Sequence, residues 1–286
     1  SHRFNELIYW TDLAQPLEQV LFDGLFIADI TGVYDVYQNG LDLTLKESIQ
    51  LPSHDPSTLV SAMAAVTQHL GFGVTVNLSY ESPYQFARRF ASLDHLTHGR
   101  IGWNIVTGYL DSAERLIGQK GLKDHDLRYE QAEEFLELCY KFWEGSWEDD
   151  AVQKDKLNRV FTDPSKVHAI QHQGKFFQSQ GVFQVSPSIQ RTPVLYQAGA
   201  SSKGLAFATQ HAEAMFIGAD TPEKLKQQVD KIRALALSHG RDEQAIKLFV
   251  GISIVTAETD ELAQEKLTEY IRYASPEAGL AHFSSS

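Results

Sequence analysis

The chain contains a single cysteine, Cys139, among its 286 residues. One cysteine excludes an internal disulfide and a cysteine-based zinc cluster, and it fits a reducing compartment. Long apolar runs are absent too: no stretch approaches the roughly 18 consecutive apolar residues of a membrane span. The first residues also lack the apolar core of a signal peptide. We therefore expect a cytoplasmic protein that does not act at a membrane.

Positive charge is also scarce. The chain has 25 Lys and Arg residues against 37 Asp and Glu residues, which gives a formal net charge of −12. This balance argues against a general affinity for nucleic acid or for anionic membranes, although it is compatible with a local basic site. The hydrophobic share of 43% is ordinary for a globular protein. The length suits one large α/β domain or two small ones.

Strand and helix patterns alternate along the chain. Helices are predicted from apolar residues at helical spacing, and strands from short apolar runs bounded by turn residues. The predicted strands are 22–29, 72–79, 99–106, 193–199, 214–218 and 247–255; the predicted helices are 4–22, 57–70, 84–96, 131–143, 204–211, 224–239 and 260–273. This order predicts a parallel sheet with right-handed crossovers.

The strand count leaves two α/β architectures open. A closed (β/α)8 barrel needs eight strands, and we count about six in this sequence. The barrel interpretation thus predicts that the first and last strands are missing from this sequence, whereas a doubly wound open sheet needs no further strand. Residues 30–56 are predicted to form a long loop. Residues 144–190 break the alternation, include a predicted hairpin across 176–183, and are interpreted as an insertion.

Asn104 is the unusual residue of the third predicted strand. It lies among Ile101, Trp103 and Ile105 in a run that is otherwise apolar. A buried amide needs hydrogen-bond partners or a ligand. In a parallel α/β fold the carboxyl end of a strand is where ligands bind. Asn104 is therefore a candidate site residue, and the alternative is that it only bonds neighbouring backbone.

Other candidates lie where a predicted strand meets a helix. Ser201 and Ser202 precede a helix, and the start of a helix attracts phosphate; the alternative is that one of them only caps the helix. His125 and Tyr129 are four residues apart at another helix start and share one face, with a capping cluster as the alternative. Asp29 ends the first strand as a base or a loop-holding residue. No metal site, no G-x-S-x-G nucleophile motif and no role for Cys139 beyond the core is predicted.

Four motifs resemble the bacterial luciferase-like flavin monooxygenases. Within that family the chain is similar to the group of nitrilotriacetate monooxygenase, dibenzothiophene-sulfone monooxygenase and the pristinamycin synthase subunit. The resemblance covers about residues 4–283. The motifs are DHLTHGRIGWNIVT (94–107), HDLRY (125–129), WEGSW (143–147) and QRTPVLYQAGASS (190–202).

The resemblance implies a fold and an activity. It implies a single TIM (β/α)8 barrel domain over residues 1–286, incomplete at both ends, with an insertion after the fourth strand at residues 144–190. It implies an enzyme that uses reduced FMN and O2 to oxygenate a small organic C–N or C–S compound. A separate NAD(P)H:flavin reductase would supply the reduced FMN, and a homo-oligomer is expected. The alternatives are a deazaflavin-dependent oxidoreductase on the same fold and a flavin-binding protein without turnover.

The resemblance also implies roles for individual residues. Asp29 matches an aspartate near the flavin ring, and Asn104 matches an asparagine that contacts the flavin. Either Thr75 or Asn77 matches a polar position on the neighbouring strand. The phosphate contacts match the remaining four residues: His125, Tyr129, Ser201 and Ser202.

Two departures from the family pattern are expected to matter. Many relatives carry serine where this chain has Gly108, a change that bears on hydrogen bonding near the flavin. The family's first strand, which lines the substrate side of the ring, is expected to precede Ser1, and relatives continue past Ser286. We therefore assign no catalytic residue from the sequence.

Overall fold

The computed structural model describes residues 3–199 and 201–284. The helices in this part of the chain are α1 (Leu7–Gln19), α2 (Asp42–Lys46), α3 (Ser57–Ala65), α4 (Pro83–Thr97), α5 (Asp111–Leu116), α6 (His125–Tyr140), α7 (Ser202–His211), α8 (Pro222–Ser238), α9 (Asp260–Tyr273) and α10 (Pro276–Phe283). The strands are β1 (Gly24–Ile27), β2 (Gly71–Asn77), β3 (Ile101–Val106), β4 (Val152–Asp155), β5 (Val160–Thr162), β6 (Ile170–Gln173), β7 (Gln178–Gly181), β8 (Val194–Gln197), β9 (Ala214–Ile217) and β10 (Lys247–Val250). None of these helices is both long enough and apolar enough to cross a membrane.

Six strands form one parallel sheet in the order β1-β2-β3-β8-β9-β10. The strands follow one another across the sheet in chain order, as predicted from the alternation. A doubly wound sheet would instead reverse its strand order at a switch point, so that alternative is wrong.

The sheet is strongly curled. The rings of Phe26 on β1 and Phe216 on β9 are 4.5 Å apart. In a flat sheet, strands separated by four steps would lie about 19 Å apart, at about 4.8 Å per step. The two rings can meet only because the sheet bends round on itself, so the described strands form roughly half of a barrel. β1 and β10 are the outer strands of this half-barrel.

The two faces of the sheet carry different side chains. On the convex face, Val74, Trp103 and Ile105 are fully buried under α4 and α6 and belong to the main hydrophobic core. Because side chains alternate along a strand, Thr75 and Asn104 point to the opposite, concave face. The carboxyl ends of the strands on this face position the candidate site.

Arg100 holds the amino-terminal ends of β2 and β3 in place. Its guanidinium donates to the backbone carbonyls of Leu70, Ala64, Thr67 and Thr97 at 2.7–3.1 Å, and to Thr67 Oγ1 at 2.9 Å. It also lies 5.5 Å from the centre of the Phe72 ring. One side chain therefore joins the end of α3 and the end of α4 to two adjacent strands.

The loops above the sheet are more ordered than predicted. Residues 30–56, predicted to be a loop, include the short helix α2, and the connection after Tyr109 includes α5. Both pack with α10 in a separate small core around Tyr34, Leu110 and Ala281. These short helices depend on this shared core, because isolated helices of this length are unstable.

Residues 144–190 contribute no strand to the six-stranded sheet. They contain two antiparallel hairpins, β4–β5 and β6–β7. The predicted hairpin across 176–183 is wrong by several residues, since β6 and β7 are joined by residues 174–177. The carboxylate of Glu134 on α6 accepts from the backbone N–H groups of Phe176 and Phe177 at 2.9 and 2.7 Å, and this fixes the turn.

Candidate functional site

Asn104 and Thr75 form a buried polar pair on the concave face. They are register partners on β3 and β2, 6% and 3% exposed, and Asn104 Nδ2 donates to Thr75 Oγ1 at 3.0 Å. Asn104 Oδ1 is also buried and has no hydrogen-bond partner among the described residues. An unpaired buried acceptor costs free energy unless something donates to it. The pair therefore presents one free acceptor to a ligand that carries an N–H or O–H group.

Asn77 is engaged elsewhere. Its Oδ1 accepts from the backbone N–H of Ser79 at 2.9 Å and caps the short turn that follows β2. The sequence leaves Thr75 and Asn77 as equal candidates because they share one face of the strand. The structure pairs Thr75, and not Asn77, with Asn104.

The start of α7 meets the first turns of α6. Ser201 caps α7 by accepting from the backbone N–H of Gly204 at 3.0 Å. A Cβ atom added to Gly204 would lie 2.7 Å from the Tyr129 hydroxyl oxygen and 3.0 Å from Ser201 Oγ. Gly204 therefore allows the Tyr129 hydroxyl to reach the beginning of α7. The sequence interpretation overlooked Gly204, although a glycine in the first turn of a helix is a recognisable signal.

His125 and Ser202 complete this group. The ring of His125 lies 5.1 Å from that of Tyr129, and Ser202 is the first residue of α7 and is exposed. The capping interpretations also hold, because Ser201 caps α7 and Asp124 caps α6. Capping by Ser201 leaves other N–H groups of the first turn of α7 unpaired within the helix, and an anion can bind these groups.

Asp29 lies at the rim, just beyond β1. It is half-buried, and Ile27, two residues before it, is the register partner of Val74. Burial raises the pKa of Asp29, and the nearby negative charge of Asp55 raises it further, against a hydrogen bond from the backbone N–H of Ile30. Asp29 thus shares the carboxyl-end rim with Thr75, while the amide of Asn104 donates to Thr75 instead.

Aromatic rings fill the concave face below the polar pair. Tyr196 packs with Phe26, Phe216 and Phe249 at centroid distances of 5.9, 6.0 and 6.4 Å. The ring passes over Gly102, where an added Cβ would lie only 2.5 Å from Tyr196 Cε2. Burial raises the pKa of Tyr196. These rings make a floor, and the next concave positions toward the carboxyl ends are small or polar.

A cavity of about 260 Å³ opens at the carboxyl ends of β8 and β9. Gly199, Leu205, Phe216, Gly218 and Lys231 are among its lining residues. It lies beside the start of α7, so there is open space at the same edge as the Tyr129–Ser201 group. The edge can therefore admit a ligand that extends from the polar pair toward α7.

Gly108 lies four residues beyond Asn104 and has a φ of +77°. An added Cβ would lie 2.7 Å from Asn77 Nδ2 and 2.8 Å from Tyr80 Oη. Burial raises the pKa of Tyr80 to about 12. The departure from the family's serine thus has a physical reason in this chain, because Tyr80 and Asn77 occupy the space that a side chain would need.

We expect Gly108→Ser to lower the free energy of unfolding by about 2 kcal/mol, because the left-handed backbone and the crowding each carry a cost. Urea denaturation followed by circular dichroism measures this change. Gly118→Ser is a matched control, since Gly118 has a φ of +81° but no atom within 4 Å of an added Cβ. Equal losses in the two variants would contradict the role of crowding by Tyr80 and Asn77.

The other chemistry-bearing residues are structural. No group of three or more His, Cys, Asp or Glu residues able to hold a metal is found among the described residues. His172 is buried, with Nδ1 3.0 Å from Lys141 Nζ and Nε2 3.2 Å from Glu134 Oε1. Cys139 is fully buried in the main core, and burial raises its pKa well above the usual value.

Comparison with known proteins identifies the family of this chain. The family model described as "Luciferase-like monooxygenase" matches residues 3–284. The chain belongs to the luciferase-like monooxygenase family. The resemblance drawn from the four motifs is thereby confirmed.

Individual members of the luciferase-like family are closely similar to the chain. It is 51% identical to long-chain alkane monooxygenase from Geobacillus thermodenitrificans (strain NG80-2), over 99% of this chain and 64% of that protein. It is 50% identical to dimethyl-sulfide monooxygenase from Hyphomicrobium sulfonivorans, over 98% of this chain and 58% of that protein. The chain thus spans about three-fifths of the length of these relatives.

Solved structures agree with the family assignment. A crystal structure of long-chain alkane monooxygenase superposes with a TM-score of 0.97 over 99% of this chain and 65% of that chain. A riboflavin lyase, crystallised with modified FMN and riboflavin, is 43% identical and superposes with a TM-score of 0.93 over 98% of this chain and 62% of that chain. The half-barrel is therefore a luciferase-like α/β fold.

The subgroup suggested by the motifs is confirmed as well. Relatives named dibenzothiophene-sulfone monooxygenase, nitrilotriacetate monooxygenase component A and pristinamycin IIA synthase are 40, 32 and 33% identical to the chain. These proteins are named for different substrates. Membership of the family therefore does not identify the substrate of this chain.

Proposed function

We propose that this chain forms the flavin-binding part of a monooxygenase that uses reduced FMN and O2 to oxygenate a small organic compound. The observation that carries this proposal is the free acceptor of Asn104, held beside Thr75 in a buried position. It faces the same rim as the start of α7, where Tyr129 and Ser201 meet. One end of this rim suits the polar edge of a flavin ring, and the other suits a phosphate.

The residues present fit FMN. Asn104 Oδ1 would accept from an N–H group of the flavin ring, and this would satisfy an atom that is otherwise unpaired. Tyr129, Ser202, His125 and the unpaired N–H groups of α7 would hold the phosphate, because both the helix start and the hydroxyl groups favour an anion. The aromatic floor around Tyr196 would exclude water from below the ring.

Bound reduced FMN would supply the oxygen chemistry. The contribution of the chain would be to bind the flavin, to orient it and to keep water away from the reacting face. Asp29 would lie near the ring at the rim, where its burial and the charge of Asp55 raise its pKa. The ordered loops of residues 30–56 would cover the mouth of the barrel as a lid.

The names of relatives support a partner and a cofactor. One relative is named component A of nitrilotriacetate monooxygenase, and another is named FMNH2-dependent dimethylsulfone monooxygenase and is 30% identical over 79% of this chain. We propose that a separate NAD(P)H:flavin reductase supplies reduced FMN to this protein too. The relatives' substrates include an alkane and organosulfur compounds, so a weakly polar carbon or sulfur compound is the substrate class proposed.

We further propose that the half-barrel is part of a closed TIM barrel in which residues 144–190 are an insertion. The support is the continuous strand order, the curl of the sheet and the greater length of the relatives. The two hairpins of residues 144–190 lie outside the sheet, as an insertion would.

Turnover tests the proposed function. The full-length protein, a flavin reductase, NADH and FMN would be supplied with alkanes, dialkyl sulfides and sulfones, and the oxygenated product and hydrogen peroxide would be measured separately. We expect one class of compound to give product in proportion to the NADH consumed. Peroxide alone with every class, despite tight FMN binding, would indicate a flavin-binding protein without turnover.

Tyr129→Phe tests the phosphate end of the site. Loss of the hydroxyl should weaken FMN binding by about 1–2 kcal/mol, the scale of a hydrogen bond to a charged group. Fluorescence titration of FMN measures this loss. Tyr140→Phe is a matched control, because Tyr140 lies further along α6 and its hydroxyl contacts His211 Nδ1 at 3.2 Å, away from Gly204. An unchanged FMN affinity in Tyr129→Phe would remove this residue from the phosphate site.

A further inference from the structure

Arg128 connects the two ends of the proposed site. It lies on α6 between His125 and Tyr129, and its Nη1 donates to the carbonyl oxygen of Gly108. Gly108 follows β3, the strand that carries Asn104. One side chain thus ties the helix of the phosphate end directly to the strand of the ring end.

A buried carboxylate supports this arginine from a third element. Glu114 on α5 is 2% exposed. Its burial raises its pKa, and the positive charges of Lys123 and Arg128 act in the opposite direction. A buried carboxylate needs cations nearby to stay ionised. Glu114 therefore favours keeping the Arg128 guanidinium inside the protein, where it can reach Gly108.

The contacts of Arg128 differ from those of an ordinary surface arginine. Its Nε is buried and has no acceptor among the described residues. The neighbouring N-cap, Asp124, accepts from backbone N–H groups of α6 itself, those of Asp126 and Leu127. Arg128, by contrast, bonds outside its own helix, and this bond fixes the first turns of α6 against the end of β3.

We propose that Arg128 is a positioning residue that sets the spacing between Asn104 and the Tyr129–Ser201 group, so that one FMN molecule can reach both. The proposal rests on the proposed FMN site and adds the element that aligns its two ends. Arg128 acts through Gly108 and α6 and needs no contact with the cofactor. Its loss should therefore harm binding of a ligand that uses both ends more than binding of a ligand that uses one.

FMN and riboflavin are such a pair of ligands, because riboflavin lacks the phosphate. In the full-length protein, Arg128→Met should reduce FMN affinity about tenfold, whereas riboflavin affinity should change less than about twofold. Arg128→Lys keeps a cation near Glu114 and should lose less FMN affinity than Arg128→Met. Fluorescence titrations with both ligands, together with thermal melts, measure these effects.

Arg115→Met is the matched control. Arg115 lies on α5, its side chain is 53% exposed, and its guanidinium pairs with Asp35 rather than with a group on α6. Its FMN-to-riboflavin affinity ratio should stay at the wild-type value. If Arg128→Met does not fold, the Arg128→Lys ratio decides the question.

Three outcomes would overturn the proposal in distinguishable ways. A purely structural role for Arg128 would lower thermal stability and both affinities in parallel, leaving the ratio unchanged. A ratio that falls equally in Arg115→Met would assign the effect to lost surface charge. A wild-type protein that binds FMN no better than riboflavin would overturn the phosphate site itself, and the positioning role with it.

Discussion

Asn104→Leu is expected to reduce FMN affinity about 100-fold, or roughly 3 kcal/mol, with little loss of stability. The ligand would lose its acceptor, and the flavin N–H group would be buried against an apolar side chain. The fold should tolerate the change, because leucine is similar in size and removes a buried oxygen that has no partner in the described residues. We expect the free energy of unfolding to change by less than about 1 kcal/mol.

Asn77→Ala provides the matched comparison. It removes an amide from the neighbouring strand, at a position that caps a turn by accepting from Ser79. It should lower the free energy of unfolding by about 1 kcal/mol and leave FMN affinity nearly unchanged. FMN titration and urea denaturation of both variants measure these effects. Loss of FMN affinity in Asn77→Ala, but not in Asn104→Leu, would place the ring contact on β2.

Residues 1–286 expressed alone are expected to self-associate and to bind FMN weakly. The outer strands β1 and β10 have unpaired backbone groups along one side in the described sheet. The outer strand β10 and the residues after it are apolar and exposed, with Phe249 46% and Ile252 77% exposed. Neither side carries the charges or prolines that protect an edge strand from pairing with another chain. Sedimentation velocity at several concentrations would measure the association.

Lysine substitutions separate edge pairing from general stickiness. The double change Phe249→Lys and Ile252→Lys should shift the segment toward monomer, because charge on an edge opposes strand addition. Leu157→Lys is the control, since Leu157 is 94% exposed but lies between β4 and β5, away from the sheet edges. A monomeric wild-type segment with full FMN affinity would contradict the proposed closed barrel.

The main sheet is predictable from the sequence because its signals are local. Short apolar runs and intervening amphipathic segments are visible within ten to fifteen residues, and their alternation implies parallel order. The predicted strand 247–255 ends at Val250 in the structure. Ile252 and Ile254 have strand-like composition but no neighbouring strand to pair with in the described residues. A strand needs such a partner, and composition alone cannot supply it.

Other elements depend on contacts that the local sequence does not contain. The turn between β6 and β7 is set by Glu134, which lies about forty residues earlier in the chain. The helices α5 and α10 are each too short to show a clear period, and both are stabilised by the core around Tyr34. Ser275 and Pro276 are nevertheless a readable helix start for α10, since Ser275 accepts from the backbone N–H of Ala278 at 3.1 Å.

The candidate site could be predicted only in part. Asn104 is recognisable because an amide is unusual in an apolar strand. The choice between Thr75 and Asn77 could not be made, because a two-residue period puts both on one face and only the register separates them. The meeting of Tyr129 with Gly204 and the bond from Arg128 to Gly108 join segments 75 and 20 residues apart, and sequence spacing does not encode either contact.

The Tyr196 ring and the two glycines beneath it also constrain how this protein can evolve. An added Cβ at Gly102 would overlap the ring at 2.5 Å, and one at Gly73 would lie 3.5 Å from it and 2.9 Å from Phe26. A side chain at Gly102 is therefore accessible only after Tyr196 has become smaller. Neutral drift must take the two positions in that order, so homologues are expected to show them covarying. Gly102→Ala should be harmful beside tyrosine and tolerated beside Tyr196→Ala, an epistatic pair that a double-mutant cycle would detect.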